Sequence, residues 1–241
     1  MNKNIDLSIV IPCYNEEQRI PQKFEESYKF FKKHFKNFEV ILIDDGSSDQ
    51  TQKVLRNLSK QFPHTSFISY SPNKGKGYAV KKGILTANGK TICFMDADFA
   101  VYLENMPLFY KEIQVGADLV IADRNRKQSE LKGDVNYLRR ILGLSLANLN
   151  NAILNLKGIK DTQCGFKFFK SKVAQDLFKN LTTYKWLFDV EIISEAIKKG
   201  YKIQSLPVNW EQVDRSKVNV LKDLLPVIKD MSKIYIKHYF S

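Results

Sequence analysis

The sequence predicts an α/β fold in which helices flank a mostly parallel sheet. Short apolar runs bounded by turn residues predict buried strands at Leu7–Pro12, Glu39–Ile43 and Thr91–Met95. Segments with helical patterning separate these runs, and strands that alternate with helices form right-handed units with parallel strands. The carboxyl ends of such strands lie at one edge of the sheet, where ligands of open α/β folds collect.

The first helix is predicted from aromatic residues that recur every three or four positions, at Phe24, Tyr28, Phe31, Phe35 and Phe38. Further helices are predicted at Gln52–Gln61, from Asn73 through Ala87, and at Leu103–Val115, Asn136–Leu156, Lys172–Lys179, Val190–Lys199 and Val218–Phe240. Further strands are predicted at Ser66–Ser71, Asp118–Ala122, Lys167–Phe169 and Ile203–Val208. Gln128–Asp134 and Asn209–Lys217 are predicted to be polar loops.

Composition indicates a folded protein with an anionic partner. The 241 residues are 44% hydrophobic, and 38 Lys and Arg against 26 Asp and Glu give a formal net charge of +12. The partner is then a phosphorylated substrate, an acidic membrane surface or nucleic acid. The 3 cysteines, Cys13, Cys93 and Cys164, form no C-x-x-C pair. We expect small buried residues in a reducing cytosol.

The chain contains no apolar run near the roughly 20 residues that span a bilayer, so we expect any membrane contact to be peripheral or through a partner. Apolar residues of the last segment form one predicted stripe, and Pro226 is predicted to kink its helix. The stripe comprises Leu221, Leu224, Leu225, Ile228, Met231, Tyr235 and Tyr239. Lysines along the same segment leave two alternatives, a helix docked on the core or a basic amphipathic helix on an anionic membrane.

Polar motifs follow four of the predicted strands, and a glycine-rich turn opens one of the predicted helices. Asp96 and Asp98 end the strand Thr91–Met95, and they are either a pair of ligands for Mg²⁺ or Mn²⁺ or an exposed loop cap. Asn73–Gly77 is either a phosphate cradle at a helix N-terminus or a plain surface turn. Asn15-Glu16, Asp44-Asp45 and Arg124 stand at other strand ends, so that one site for a ligand with several phosphates is expected.

These motifs resemble family-2 nucleotide-sugar glycosyltransferases of the GT-A fold, which act with inversion. The matching first-half segments are Ile9–Glu17, Leu42–Thr51, Asn73–Gly83 and Met95–Phe99. Second-half segments resemble polyprenyl-phosphate glycosyltransferases, most nearly the dolichyl-phosphate β-glucosyltransferases and more distantly the mannosyltransferases: Asp161–Phe169, Trp186–Ile192 and Pro207–Val218. Arg215 stands where a glycine is expected, and many relatives carry a membrane-spanning segment.

The resemblance implies roles for individual residues. Those that would bind the nucleotide sugar are Pro12, Tyr14, Glu16, Asp44, Asp45, Lys76, Asp96, Ala97 and Asp98. Asp96 and Asp98 would hold the metal, with Asp98 the more direct ligand. Arg124 and either Arg139 or Arg140, of which Arg140 is our candidate, would hold the acceptor phosphate. Asp161 and Gln163 would lie near the reacting centre.

The acceptor decides which chemistry the side chains must supply. A phosphate acceptor is already an anion and needs cations and positioning, whereas a hydroxyl acceptor needs a carboxylate base. Asp161 is the first candidate for that base, and Asp189 and Glu191 follow. The 3 histidines neighbour no motif, so a histidine base or metal site is not expected.

These expectations define a metal-dependent hexosyltransferase that moves glucose from UDP-glucose onto a polyprenyl or dolichyl phosphate. GDP-mannose, another donor or a sugar hydroxyl acceptor are alternatives within the fold, and a nucleotide-sugar sensor or a nucleic-acid binder are alternatives outside it. No nucleic-acid motif is present in the sequence. The expected domain comprises residues 1–217, and residues 218–241 form the basic helix. The expected location is the cytoplasmic membrane face, with a homodimer or a membrane-protein partner left open.

Overall fold

The computed structural model describes residues 4–132, 151–185, 187–211 and 220–240, with the backbone alone for 220–226. The strands are β1 (Leu7–Cys13), β2 (Phe38–Asp44), β3 (Thr65–Ser69), β4 (Thr91–Met95), β5 (Leu119–Ala122), β6 (Glu130–Lys132), β7 (Phe166–Lys170), β8 (Ile203–Leu206) and β9 (Asn209–Glu211). The α-helices are α1 (Ile20–His34), α2 (Thr51–Gln61), α3 (Lys76–Thr86), α4 (Met106–Gln114), α5 (Ser171–Lys179), α6 (Phe188–Lys198) and α7 (Val220–Phe240). A 3-10 turn, Leu103–Asn105, precedes α4.

The main sheet contains seven strands in the order β3-β2-β1-β4-β7-β5-β8. All of its pairings are parallel except those of β7, which runs antiparallel to β4 and to β5. The prediction of a mostly parallel sheet is therefore confirmed. Because β7 points the other way, its first residue, Phe166, lies at the edge where the neighbouring strands end. The segment before β7 is thereby placed beside the ends of β4 and β5.

Two apolar layers cover the two faces of the sheet. Alternate residues of β1 divide between them, with Ile9 and Ile11 in one layer and Val10 in the other. Helices α1, α2 and α4 pack in the first layer, where Phe24 and Phe109 are fully buried. Helices α3, α5 and α6 pack in the second layer, which also receives residues of α7. The sheet is thus held as a rigid support for the loops at its edge.

Some predicted elements are wrong. Phe35 and Phe38 do not belong to the first helix, because α1 ends at His34 and Phe38 starts β2, opposite Leu7. The predicted polar loops at 128–134 and 209–217 contain β6 and β9, which pair in parallel with each other. The predicted helix Asn136–Leu156 lies mostly outside the described residues, although residues 151–154 are helical.

The C-terminal helix α7 docks on the domain, and of the predicted stripe only Met231 packs against the core among the residues whose side chains are described. Ile234 is buried, whereas Ile228, Tyr235 and Tyr239 are exposed. Leu221, Leu224 and Leu225 lie in the part of the helix whose side chains are not described. Polar contacts fix the docked face, because Lys237 Nζ lies 2.6 Å from the buried Glu191 Oε1 on α6. No helix of the described residues is long and apolar enough to cross a bilayer.

Candidate active site

The predicted strand-end residues meet at one edge of the sheet. β1, β2, β4 and β5 run parallel, so Asp44, Asp96 and Arg124 lie at or just beyond the same edge. The loop before β7 joins them, because Asp96 N donates to Gly165 O at 3.0 Å. The prediction that these motifs share one edge is confirmed by this topology.

The loops after β1 and β2 are tied to each other. Asn15, which has a φ of +53°, donates its N–H to Ser47 Oγ at 3.0 Å and accepts from Ser48 N at 2.9 Å. Glu16 N donates to Thr51 Oγ1 at 2.7 Å. Asn15 tolerates the left-handed backbone region better than most residues do, and the hydroxyls of Ser47 and Thr51 accept the hydrogen bonds between the two loops.

This interlock fixes the nucleotide-side candidates of the first loop. Pro12 is buried in β1, whereas Tyr14, just after the end of β1, is 40% exposed. The carboxylate of Glu16 is held in a two-point contact by Arg19, whose Nε and Nη2 lie 2.7 and 2.6 Å from its oxygens. An aromatic ring at a rigid position is suited to contact a base.

Asp44 and Asp45 are buried carboxylates whose oxygens are already bonded. Asp44 accepts from Ser47 N at 3.0 Å and from Ser69 Oγ at 2.8 Å. Asp45 accepts from the hydroxyl of Tyr70 and the side-chain amide of Asn73. It also accepts the backbone N–H groups of residues 74 and 75, at 2.9 and 3.0 Å.

These contacts show that Asp45 positions the backbone turn beside it. Burial raises the pKa of Asp45, and its four hydrogen bonds act in the opposite direction. The carboxylate fixes the turn that leads into α3, so Asp45 supports the glycine-rich turn. Gly75 has a φ of +101° and stands against the carbonyl of Tyr184, a position where a side chain would not fit.

Lys76, the first residue of α3, forms an ion pair with Asp96 at the centre of the site. Its Nζ lies 2.6 Å from Asp96 Oδ1. That oxygen is buried and, among the described residues, accepts no hydrogen bond of good geometry, so the contact is electrostatic. Burial opposes the charge of Lys76, but attraction by Asp96, Asp189 and Asp98 outweighs burial and raises the pKa of Lys76.

Gly165 makes room for the Asp96 carboxylate. A Cβ at this glycine would overlap both carboxylate oxygens of Asp96. The φ of Gly165 is not among the positive values, so close approach and not backbone conformation requires the glycine here. The glycine in the segment Asp161–Phe169 is therefore explained by the carboxylate that lies against it.

The pair Asp96 and Asp98 fits a hard divalent cation. Burial raises the pKa of Asp98 and repulsion by Asp96 raises it further, so a cation between them would relieve an existing strain of like charges. Asp98 Oδ1 accepts from Ala100 N at 3.1 Å, and Ala97 between the two aspartates is buried. Among the described residues, no cluster of three or more metal-binding side chains exists. The remaining ligands would come from a phosphorylated substrate or water, as is usual for Mg²⁺.

Arg124 and Asp161 form a two-point ion pair at the end of β5. Arg124 Nε and Nη2 lie 2.7 and 2.9 Å from the two oxygens of Asp161, and Arg124 N donates to the same carboxylate at 2.9 Å. Burial alone would raise the pKa of Asp161, but the arginine holds it below its usual value. The guanidinium also lies 5.6 Å from the ring of Trp210.

Lys167 and Asp189 form a second buried ion pair next to these residues. The sequence analysis named Asp189 as a candidate but not Lys167. Lys167 is 1% exposed, and its Nζ donates to Asp189 Oδ1 at 2.6 Å and to the Cys164 carbonyl at 2.8 Å. The signal was present, because a lysine within the otherwise aromatic strand Phe166–Phe169 requires a partner. Burial raises the pKa of Asp189, and attraction by Lys167 and Lys76 opposes that rise.

The remaining predicted residues lie apart from these pairs or outside the described residues. Glu191 is buried and accepts from Thr182, Thr183 and Lys237, so it anchors α7 and its loop. Gln163 is exposed at the edge of the sheet. Residues outside the described part of the chain are Arg139, Arg140 and Arg215.

Comparison with known proteins matches the chain to a known family. The sequence profile of Glycosyl transferase family 2 matches residues 8–178. Dolichyl-phosphate β-glucosyltransferase from Dictyostelium discoideum is 34% identical over 247 residues, which cover 98% of this chain and 75% of that protein. The same-named protein of Homo sapiens is 32% identical over 245 residues, with 96% and 75% covered.

A solved structure shares the fold. Glucosyl-3-phosphoglycerate synthase from Mycobacterium tuberculosis, crystallised with Mn²⁺ and UDP-glucose, superposes with a TM-score of 0.71 at 16% identity. The superposition covers 97% of this chain and 79% of that one. The chain therefore belongs to glycosyl transferase family 2, as a GT-A-fold glycosyltransferase whose relatives include the dolichyl-phosphate β-glucosyltransferases.

Proposed function

We propose that this protein transfers glucose from UDP-glucose, with inversion, to a polyprenyl or dolichyl phosphate, and that Mg²⁺ or Mn²⁺ is required. The observation that carries the proposal is the occupation of the candidate bases by cations. Asp161 is bound by Arg124, Asp189 by Lys167 and Glu191 by Lys237. A hydroxyl acceptor requires a carboxylate that is available to take a proton, whereas a phosphate acceptor does not.

Arg124 is suited to hold the acceptor phosphate. A guanidinium carries five N–H donors, and Asp161 takes Nε–H and one Nη2–H, which leaves Nη1 and one Nη2 proton. The Arg124 side chain is 32% exposed. Asp161 therefore holds the guanidinium in place, and a ligand can still reach it from solvent. Such a fixed guanidinium matches phosphate oxygens in a two-point contact. Asp161 is then a positioning residue, and Arg140 remains the second proposed phosphate ligand.

The reaction forms a bond between an acceptor phosphate oxygen and the anomeric carbon, while the bond from that carbon to the nucleoside diphosphate breaks. Attack from the face opposite the leaving group converts an α-linked donor into a β-linked product. The acceptor oxygen is already ionised, so no proton is removed from it. Arg124 offsets the repulsion between the acceptor and donor phosphates, and Lys76 lies on the donor side beside Asp96.

The donor side is assigned to the loops after β1 and β2. Pro12, Tyr14, Glu16, Asp44 and Asp45 are proposed to shape the nucleotide pocket, either directly or through the turns they fix. Asp96 and Asp98 would hold the cation, which when bound offsets the charge that develops on the leaving diphosphate. The names of the relatives and the UDP-glucose bound to the M. tuberculosis synthase support glucose and uridine as the first choices.

The proposed location is the cytoplasmic face of a membrane, where a polyprenyl phosphate is accessible. The support is the outer face of α7, on which Ile236 and Phe240 are 58% and 76% exposed together with Ile228, Tyr235 and Tyr239. Apolar and aromatic side chains of this size on one exposed helix face are typical of an interfacial helix.

A radiolabelled transfer assay tests the proposal. The protein is incubated with UDP- or GDP-sugars, with Mg²⁺, Mn²⁺ or chelator, and with a short polyprenyl phosphate in detergent. Metal-dependent label in the organic phase with UDP-glucose is expected, and Asp98→Ala is expected to abolish it without unfolding the protein. Organic-phase label from GDP-mannose alone would change the donor. Label that stays aqueous with every donor would contradict the lipid acceptor.

A further inference from the structure

A basic pocket of about 480 Å³ lies between α7, the turn before α3 and the loop that joins α5 to α6. Its lining residues are Lys74, Thr182, Tyr184, Lys185, Lys229, Asp230 and Lys233. Four lysines and one aspartate give the lining a formal charge of +3 at neutral pH. This volume lies within the range of pockets that bind small molecules. Lys74 belongs to the glycine-rich turn that Asp45 fixes, and the other lining residues lie outside the donor and acceptor sites described above.

The described residues do not neutralise the pocket. Asp230 is buried and lies 3.3 Å from Lys233 Nζ, so the only carboxylate of the described lining is already paired. Among the described residues, Lys185 and Lys229 form no ion pair within 4.0 Å. Like charges gathered in one pocket repel each other, and an anion that enters it would remove that repulsion.

The fold holds the Lys74 ammonium group directly, and a separate ion pair holds helix α7, which carries Lys229 and Lys233. Lys74 lies 4.6 Å from the ring centre of Tyr78 and 5.7 Å from that of Tyr70, and the ring of Tyr78 packs edge-on against Tyr184. On the opposite side, the Lys237–Glu191 ion pair fixes α7. Lys74 and helix α7 are therefore held in place by contacts with the rest of the fold.

The position of the pocket on α7 indicates which anion it takes. At about 100° per residue, Ile228, Tyr235 and Tyr239 fall on one outer stripe of the helix. Lys229 and Lys233 fall between that stripe and the docked face. The phosphate site thus borders an exposed apolar surface, the arrangement in which an amphipathic helix contacts anionic lipids. A soluble phosphate would not require the apolar stripe.

We propose that this pocket binds the phosphate of an anionic membrane phospholipid and so seats the outer face of α7 on the bilayer surface. The lipid is a docking ligand and not the glycosyl acceptor. The inference rests on the membrane location in the proposed function, but it is independent of the transfer reaction. It assigns a role to Lys229 and Lys233 of α7, which take part in neither the donor site nor the acceptor site.

Vesicle binding tests this site. The full chain is sedimented with phosphatidylcholine vesicles that contain or lack phosphatidylglycerol, and the partition coefficient is compared between variants. Lys229→Gln with Lys233→Gln is expected to weaken binding to the phosphatidylglycerol vesicles about tenfold or more. Lys185→Gln with Lys229→Gln is a second variant, in which the Asp230–Lys233 pair is kept. The matched control is Lys53→Gln with Lys60→Gln, two exposed lysines of α2 on the other face of the sheet.

The expected result is a loss in both pocket variants, little change in the control, and binding by wild type that glycerol phosphate in solution does not compete away. An equal loss in the control would assign binding to general charge and overturn the pocket. Unchanged binding in both folded pocket variants, or competition by glycerol phosphate at low concentration, would also overturn it.

Transfer to a short polyprenyl phosphate in detergent is measured in parallel. Both pocket variants should match wild type there, so a failure of the transfer reaction is distinguishable from a failure of this inference.

Discussion

Lys76 Nζ lies 2.6 Å from Asp96 Oδ1, so a cation of the protein itself already stands at the first carboxylate of the Asp96-Ala97-Asp98 motif. The contact connects the glycine-rich turn at the start of α3 to the end of β4. A divalent cation held by Asp96 and Asp98, as we propose, would meet an ammonium group beside it. Charge balance at this point would then link the proposed donor turn to the proposed metal ligands.

Replacement of Lys76 is expected to change divalent-cation affinity. Lys76→Met removes a positive charge beside Asp96, so Mn²⁺ should bind roughly tenfold more tightly in the absence of donor, since adjacent charges interact by at least about 1 kcal/mol. Mn²⁺ titration followed by electron paramagnetic resonance measures this affinity. Lys82→Met, at an exposed position on the same helix, is the control. Equal Mn²⁺ affinities in Lys76→Met and wild type would contradict the role assigned to the ion pair.

Gly165→Ala should damage the site and spare the fold. The new Cβ would overlap the Asp96 carboxylate, which must then move from its place beside Lys76. We expect transfer to fall by about 100-fold, the scale seen when one contact to the transition state is lost. Gly158→Ala is the control, because open space surrounds that residue and only its φ of +77° is strained. Full activity in folded Gly165→Ala would show that the position of Asp96 is not critical.

Arg124→Ala should weaken the acceptor more than the donor. The guanidinium is proposed to contact the acceptor phosphate, so the KM for polyprenyl phosphate should rise about tenfold or more, as for a lost charge-assisted hydrogen bond. Steady-state kinetics with each substrate varied in turn separate the two KM values. Arg126→Ala, a neighbouring arginine that is 49% exposed, should leave both values near wild type. An equal rise for donor and acceptor would remove Arg124 from the acceptor site.

The Arg124–Asp161 pair should also appear in the acid stability of the protein. Because the folded pKa of Asp161 is lowered, the stabilisation by its carboxylate is present above the unfolded pKa of about 3.9 and is lost as the pH falls through the folded value. Asp161→Asn lacks this contribution, so its unfolding free energy should fall less steeply below about pH 4. At neutral pH the variant should be less stable by up to about 3 kcal/mol. Urea unfolding at several pH values measures both effects, and identical pH slopes would contradict the assignment.

The sequence predicted the parallel strands well because their apolar runs are continuous and end in polar motifs. β1, β2 and β4 lie within one or two residues of their predicted bounds. Their common edge follows from chain direction alone, which is why Asp44 and Asp96 were correctly expected at the same edge of the sheet. The direction of β7 was not predictable, because a five-residue strand carries no mark of which way it pairs.

The errors arose where distant pairing decides local structure. β6 and β9 are three residues each, with one apolar residue between two polar ones, and neither is buried. Their strand conformation therefore comes from their mutual hydrogen bonds and not from an apolar pattern. The residues through which α7 contacts the domain were not predictable for a related reason. Ile234 and the Lys237–Glu191 ion pair fix the position of the helix. The apolar periodicity of α7 does not show which residue of α6 it contacts. Asp161 was expected near the reacting centre and, for a hydroxyl acceptor only, as the base, and its contact with Arg124 supports the positioning role that we propose.

The central claim is that the acceptor is a phosphate which needs no carboxylate base. The most direct measurement compares transfer from labelled UDP-glucose to two matched acceptors, a short polyprenyl phosphate and the corresponding polyprenol, under the same detergent and metal conditions. We predict labelled lipid from the phosphate and none above background from the alcohol. Comparable transfer to the polyprenol, or transfer to it alone, would contradict the account, because one of the paired carboxylates would then have to act as a base.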